Sequence, residues 1–223
     1  MNYAALSAAI QAYTENTEAD FVANIPVFVT QAEQRIYNSV QFPSIRKNVT
    51  GVVSTTTPYL SAPDDYLASY SLAVIDATGN YEYLLNKDVN FIRQAYPSAS
   101  DVGLPRYYAL FGPTVSGSTI TDELTFILGP KPDANYTVEL HYYYYPESIT
   151  VAADGRTWLG DNFDSVLLYG SLVEAYTYMK GEADMMALYN QKFMEALALA
   201  KRLGDGMERQ DAYRSGQFRQ KVT

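Results

Sequence analysis

Phe21-Val-Ala-Asn-Ile25-Pro-Val-Phe28-Val-Thr-Gln-Ala32-Glu-Gln-Arg35-Ile36 is the stretch from which the rest of the chain can be read. Phe21, Ile25, Phe28, Ala32, Ile36 and then Val40 recur every three or four positions, which is one apolar stripe at the period of an α-helix. Gln31, Gln34, Arg35 and Asn38 fall on the opposite face. Pro26 lacks an N–H, and only the first helical turn leaves that donor spare. The spacing therefore predicts a helix that starts near Asn24, as its N-cap, and runs to Val40. Gln41-Phe42-Pro43 ends it, since the residue before proline is pushed out of the α region. A shorter helix near Tyr3–Tyr13 precedes it. Residues 1–45 are thus expected to be the N-terminal helices of a bundle.

Beyond this stretch the period changes from 3.6 to 2. Val49-Thr-Gly-Val-Val-Ser-Thr-Thr-Thr is β-branched, and Tyr66–Ile75, Tyr81–Leu85, Arg106–Phe111, Thr119–Leu128 and Tyr136–Tyr145 are further candidate strands, broken by Gly, Pro, Asp and Asn. In the last of them Tyr136, Val138, Leu140, Tyr142 and Tyr144 share one face, with Thr137, Glu139 and His141 on the other. Asp88 caps a short helix at 88–96, which Pro97 stops. Residues 46–155 are expected to form a small antiparallel sheet or sandwich inserted between helices. Helical spacing returns at 156–204, where Phe163, Val166, Gly170, Val173 and Thr177 form one stripe. Lys180-Gly181 breaks it, and Met186, Tyr189, Phe193, Leu197, Ala200 and Leu203 form a second, closed by Gly204. Asp161 and Asp164 sit where a cap and its third-position acid belong. The expected fold class is α+β, a helical bundle (N-terminal helices plus a C-terminal helical hairpin) with an inserted small antiparallel β domain and an extended C-terminal tail at 205–223.

Composition narrows the function classes. The chain has 223 residues, 16 Lys+Arg against 25 Asp+Glu, a net charge of -9, no Cys, one His and 21 Tyr. Absence of Cys removes thiolate metal sites and thiol nucleophiles. The acidic balance argues against a protein that neutralises many DNA phosphates. No apolar run reaches the roughly 20 residues of a membrane helix, and Met1-Asn-Tyr-Ala lacks the basic start of a secretory leader, so neither membrane nor secretion is expected. Residues 201–223 hold six basic and three acidic side chains, which leaves -12 on the other 200. This tail has no apolar stripe. It carries Arg209, Tyr213, Arg214, Phe218 and Arg219, residue types enriched where proteins meet, and reads either as a frayed terminus or as a segment that orders on a partner.

Residues that carry chemistry are few. Phosphate loops, HExxH, GxSxG and EF-hand spacings do not occur. His141 beside Glu139 reads as a surface histidine. Asp64-Asp65 after Pro63 reads as a turn. We expect no catalytic residue, no cofactor and no metal. In the Tyr142–Tyr145 run, alternate rings point outward, which makes Tyr143 and Tyr145 candidates for a subunit interface or for stacking on sugars.

The stretch Pro26-Val-Phe28-Val-Thr-Gln-Ala32-Glu-Gln-Arg35-Ile36 resembles the first long helix of head-to-tail adaptor (connector) proteins of tailed bacteriophages. Leu60-Ser-Ala-Pro63-Asp64-Asp65-Tyr66-Leu67 is similar to their entry into a strand, with one extra residue between Leu and Pro. Gly103-Leu-Pro105-Arg-Tyr-Tyr108-Ala109, Leu128-Gly-Pro130-Lys-Pro132 followed by Glu139-Leu-His-Tyr-Tyr, and Trp158-Leu159 through Glu174-Ala175 follow in the same order. The resemblance spans about residues 20–203. It implies a non-enzymatic virion protein of the neck, assembled in the host cytoplasm as a homo-oligomeric ring of twelve copies. Its partners would be the portal protein, gripped by the C-terminal segment, and a tail nozzle or tail tube protein. Genomic DNA would pass through an acidic channel without specific binding. A stopper or tail-completion ring of the neck, a carbohydrate-binding virion accessory protein using the outward tyrosines, and a carboxylate hydrolase built from Asp64, Asp65 or Glu139 are the alternatives.

Overall fold

The computed structural model describes residues 1–40, 42–56, 59–116, 119–122 and 124–208. In chain order the elements are α1 (Tyr3–Thr14), α2 (Ala19–Ser39), β1 (Arg46–Val53), β2 (Tyr59–Ser61), β3 (Ala68–Ile75), β4 (Tyr81–Tyr83), β5 (Leu85–Asn86) and α3 (Val89–Ala95). They continue with β6 (Tyr107–Phe111), β7 (Thr114–Ser116), β8 (Thr119–Asp122), β9 (Thr125–Gly129), β10 (Tyr136–Tyr143), α4 (Trp158–Asn162), α5 (Asp164–Met179) and α6 (Ala183–Glu208). The α+β class holds, with helices at both ends of the chain around an inserted β region. The described residues divide into two compact units, one made of Met1–Ile45 with those from Tyr145 to Glu208, the other of Arg46–Tyr144.

In the helical unit α5 is the central helix, packed on α1, α2 and α6. Val166, Leu167, Leu172, Val173 and Ala175 are all buried, so apolar residues run round α5 instead of along one stripe. Gly170 is where the helices come closest. A Cβ there would lie 3.1 Å from the Phe193 ring of α6 and 3.2 Å from Ala32 of α2. The buried Ser171 hydroxyl donates to the Leu167 carbonyl, so it leaves no orphan polar group. Lys180, at φ 53, and Gly181 turn the chain from α5 into α6.

The β unit is a sandwich. One four-stranded sheet has the order β1-β10-β3-β4 and the other β2-β9-β6-β5, with β5 parallel to β6 and the remaining pairs antiparallel. Val138, Leu140 and Tyr142 of β10 point inward with Leu72 and Val74 of β3, and meet Phe126, Leu128 and Tyr108 from the second sheet. This is the alternation read from the sequence, and Tyr144 packs on the same core. On the far face of the second sheet α3 covers Ala109 and Ile127 through Ile92, so that face is buried too. Asp88 caps α3, its carboxylate accepting the Asn90 N–H at 2.7 Å.

Several boundaries differ from the sequence reading. Helix α2 starts at Ala19, so Pro26 sits in its interior, where it withholds one ladder hydrogen bond. Buried Phe21, Ile25 and Phe28 on both sides of the proline anchor the helix through it. Asp161 caps nothing. It lies inside α4, which Thr157 caps, and its carboxylate pairs with Arg156 at 3.0 Å. Thr119–Leu128 is two strands, because β8 belongs to a separate two-stranded hairpin with β7. Residues 145–155 go with the helices. Ile149 is buried there, and Gly155 accepts the Tyr3 N–H at 2.8 Å. Helix α6 runs through Gly204 to Glu208, since a glycine in a helix interior costs only about 1 kcal/mol against alanine.

Candidate interaction surfaces

The short segment Ala32-Glu-Gln-Arg35-Ile36 binds α2 to its surroundings residue by residue. Ala32 and Ile36 are fully buried, and Ala32 is the residue that Gly170 admits. Arg35 pairs with Glu174 of α5 at 2.5 Å, and its guanidinium lies 5.9 Å from the centroid of the Phe193 ring. Glu33 is buried beside it. One carboxylate oxygen accepts the Ile149 N–H at 3.0 Å. Burial pushes the Glu33 carboxyl above the ordinary range, and the Ile149 N–H partly opposes that rise. This helix is a structural hub, so its motif reports on the fold of the unit.

The outward face of the β1-β10-β3-β4 sheet is aromatic. Tyr143 of β10 meets Tyr70 of β3 edge to face at 6.0 Å, and the Arg46 guanidinium lies over both rings, at 5.7 and 5.0 Å. On β4 Tyr81 and Tyr83 stack at 6.5 Å and are 51% and 62% exposed. Tyr81 donates its hydroxyl hydrogen bond to Glu139, which also meets His141 at 3.2 Å. Neighbouring Ser71 lies 3.4 Å from the second His141 nitrogen. Glu139 and His141 are thus members of a surface polar network under tyrosines. Tyr145 does not join this face. It lies past the end of β10 in the helical unit and donates to Asn38 of α2. The two candidate interface tyrosines are therefore separated, because the strand ends between them. The sequence reading missed Tyr70, Tyr81 and Tyr83, although Tyr81-Glu-Tyr83 is itself a period-2 signal.

Asp65 has a structural task. Its two oxygens take the Lys47 ammonium at 2.7 Å and the Tyr142 hydroxyl at 2.7 Å, which ties the turn before β3 to β1 and β10. The Lys47 bond, helped by Tyr142, holds the Asp65 carboxyl below its ordinary range. In the turn between β3 and β4, Asp76 accepts from the Thr78 hydroxyl, the Thr78 N–H and the Asn80 N–H. Its carboxyl is lowered to about 2. Among the described residues no three His, Cys, Asp or Glu side chains gather as a metal site, and no helix is long and apolar enough to cross a membrane.

The tail residues Arg209, Tyr213, Arg214, Phe218 and Arg219 lie outside the described residues, directly after the end of α6 at Glu208. No curated protein matches the chain. The family model described as SU10 adaptor protein matches residues 1–220. It covers both helical ends and the inserted sandwich in one continuous match. The chain therefore belongs to the SU10 adaptor protein family and is a head-to-tail adaptor of a tailed bacteriophage, a structural protein of the virion neck that works with portal and tail proteins.

Proposed function

We propose that this adaptor assembles as a closed ring of twelve copies that docks on the portal through residues 209–223 and passes DNA through an acidic lumen. The observation that carries the reading is the charge division along the chain. Residues 201–223 are basic by three charges on a chain whose net charge is -9. A basic segment with Tyr213 and Phe218 spaced among its arginines suits a groove on an acidic partner, where charge-assisted hydrogen bonds and aromatic anchors offset the ordering of the segment. Ordering of this kind costs about 2–5 kcal/mol.

Twelve copies at the sequence charge total roughly -108, a field that repels DNA phosphates. Weak wall contact lets the genome slide, since tight binding needs Lys and Arg to displace counterions. Closure demands that one patch of each copy meet a different patch of the next, and that the rotation return to its start.

The test is co-sedimentation with purified portal. A chain of residues 1–208, which keeps all of α6, is expected to fold and to lose portal binding. Wild-type affinity from that truncation contradicts the docking role of the segment. Direct portal binding by the full chain also separates this reading from a stopper or tail-completion ring, which would bind only after another layer is in place.

A further inference from the structure

Of the four edges that the two sheets present, three are short. Strands β4 and β2 have three residues each and β5 has two. Short edge strands are one way in which proteins prevent unwanted pairing. Strand β1 is the exception. It runs eight residues, Arg46–Val53, and among the described residues the strand it pairs with, over its full length, is β10, on one side. Lysine commonly guards such an edge. Here Lys47 is drawn away, bonded to Asp65 and lying 5.0 Å from the centroid of the Tyr144 ring. Along β1, Val49 on the core-side face is 39% exposed and Val52 on the opposite face is 67% exposed. Both are β-branched residues suited to a strand with neighbours on either side.

The same unit carries a hairpin without a sheet. Strands β7 and β8 pair with each other, Thr114 opposite Asp122 and Ser116 opposite Thr119, and belong to neither side of the sandwich. An isolated two-stranded hairpin is marginal in water and gains stability by joining a larger sheet. Its strands read Thr114-Val-Ser116 and Thr119-Ile-Thr-Asp122, strongly β-forming, with Asp122 as the single charge.

We propose that the β7–β8 hairpin of one copy adds to the free edge of β1 in the next copy, extending the sandwich across the subunit boundary. The occupant is a second copy of this chain. An open edge and an orphan hairpin are two different patches on each molecule, as a head-to-tail ring contact requires. Main-chain hydrogen bonds supply the affinity, as in other strand additions. This inference rests on the ring reading of the preceding subsection.

The test places a photo-crosslinking amino acid at Val52 in the full-length chain and mixes that protein, isotopically light, with heavy wild type on portals. Mass spectrometry of the irradiated assembly is expected to find light Val52 joined to a heavy peptide containing residues 114–122. A second variant replaces residues 114–122 with Ser-Gly-Gly. It is expected to stay folded, because the hairpin contributes to neither sheet, and to need roughly tenfold or more protein to fill the portal, the loss of a few main-chain hydrogen bonds. Intact multi-copy assemblies whose Val52 crosslinks go to portal, to tail protein or to another segment overturn the pairing and leave the ring reading standing. Filling of the portal by the shortened variant at wild-type concentration does the same. If the wild-type chain forms no multi-copy assembly on portals, the ring reading fails and the pairing fails with it.

Discussion

The carboxylate of Glu33, in the middle of α2, accepts the backbone N–H of Ile149 at 3.0 Å, and both residues are buried. A helix side chain thus satisfies the main chain of the segment that returns from the sandwich to the helices. Glu33→Leu leaves that N–H without an acceptor and is expected to destabilise the protein by about 1–3 kcal/mol. Glu33→Gln keeps an acceptor oxygen and is expected to lose much less. Chemical denaturation of both variants checks the order.

Two of the perturbed carboxyls, Glu33 and Asp65, give opposite pH dependence. Glu33 holds its proton to higher pH in the folded chain than in the unfolded one, because burial raises it from an ordinary 4.5. Its contribution is full below that value and declines as pH rises through the raised folded value. Asp65 is lowered from 3.8 by Lys47 and Tyr142, so its contribution is full above the ordinary value and is lost as pH falls through the folded one. Thermal melts across the acid range are expected to show the deficit of Asp65→Asn shrinking as pH falls. Wild type is expected to lose ground to Glu33→Gln as pH rises above its ordinary carboxyl range.

Gly170 is a packing residue of α5. With 3.1 Å to the Phe193 ring and 3.2 Å to Ala32, a Cβ already presses on both neighbours, and Gly170→Val adds two methyl groups to that contact. The expected loss is about 1–3 kcal/mol, the usual cost of overpacking. Phe193→Ala, which empties the same place, is expected to cost about 3–5 kcal/mol. Denaturant midpoints of the two variants measure both effects.

Tyr142→Phe isolates one hydrogen bond in the sandwich. The ring stays in the core with Tyr66 and Phe126, and only the donation to Asp65 is lost. A decrease of about 0.5–1.5 kcal/mol is expected, with the Lys47–Asp65 pair intact. An NMR titration of Asp65 in this variant is expected to move its carboxyl back toward the ordinary value, because one of the donors that lower it is gone.

How far these features could be read from the sequence depends on whether the signal is local. Alternation in Tyr136–Tyr143 put Val138, Leu140 and Tyr142 on the core side because a strand has only two faces. The α2 stripe placed Phe21, Ile25, Phe28, Ala32 and Ile36 in the core for the equivalent reason. Pro26 misled the helix start, since local steric preference was outweighed by tertiary anchoring on both sides of it. The sequence reading puts Glu33 on neither the apolar stripe nor the polar face. Its burial depends on Ile149, more than 100 residues away, and no periodicity reports such a partner. Tyr143 and Tyr145 were paired by alternation alone, which cannot say that the strand stops between them. The division of the two sheets into one long and three short edges among the described residues depends on sheet order, which the sequence does not display.

The most direct measurement is electron cryo-microscopy of the full-length chain bound to purified portal, with the 1–208 truncation as its control. A closed ring of adaptor copies, with residues 209–223 of each copy lying on the portal and the ring absent from the truncated sample, is the expected result. A complete ring built by the truncated chain, or a full-length ring whose last residues point away from the portal, contradicts the account.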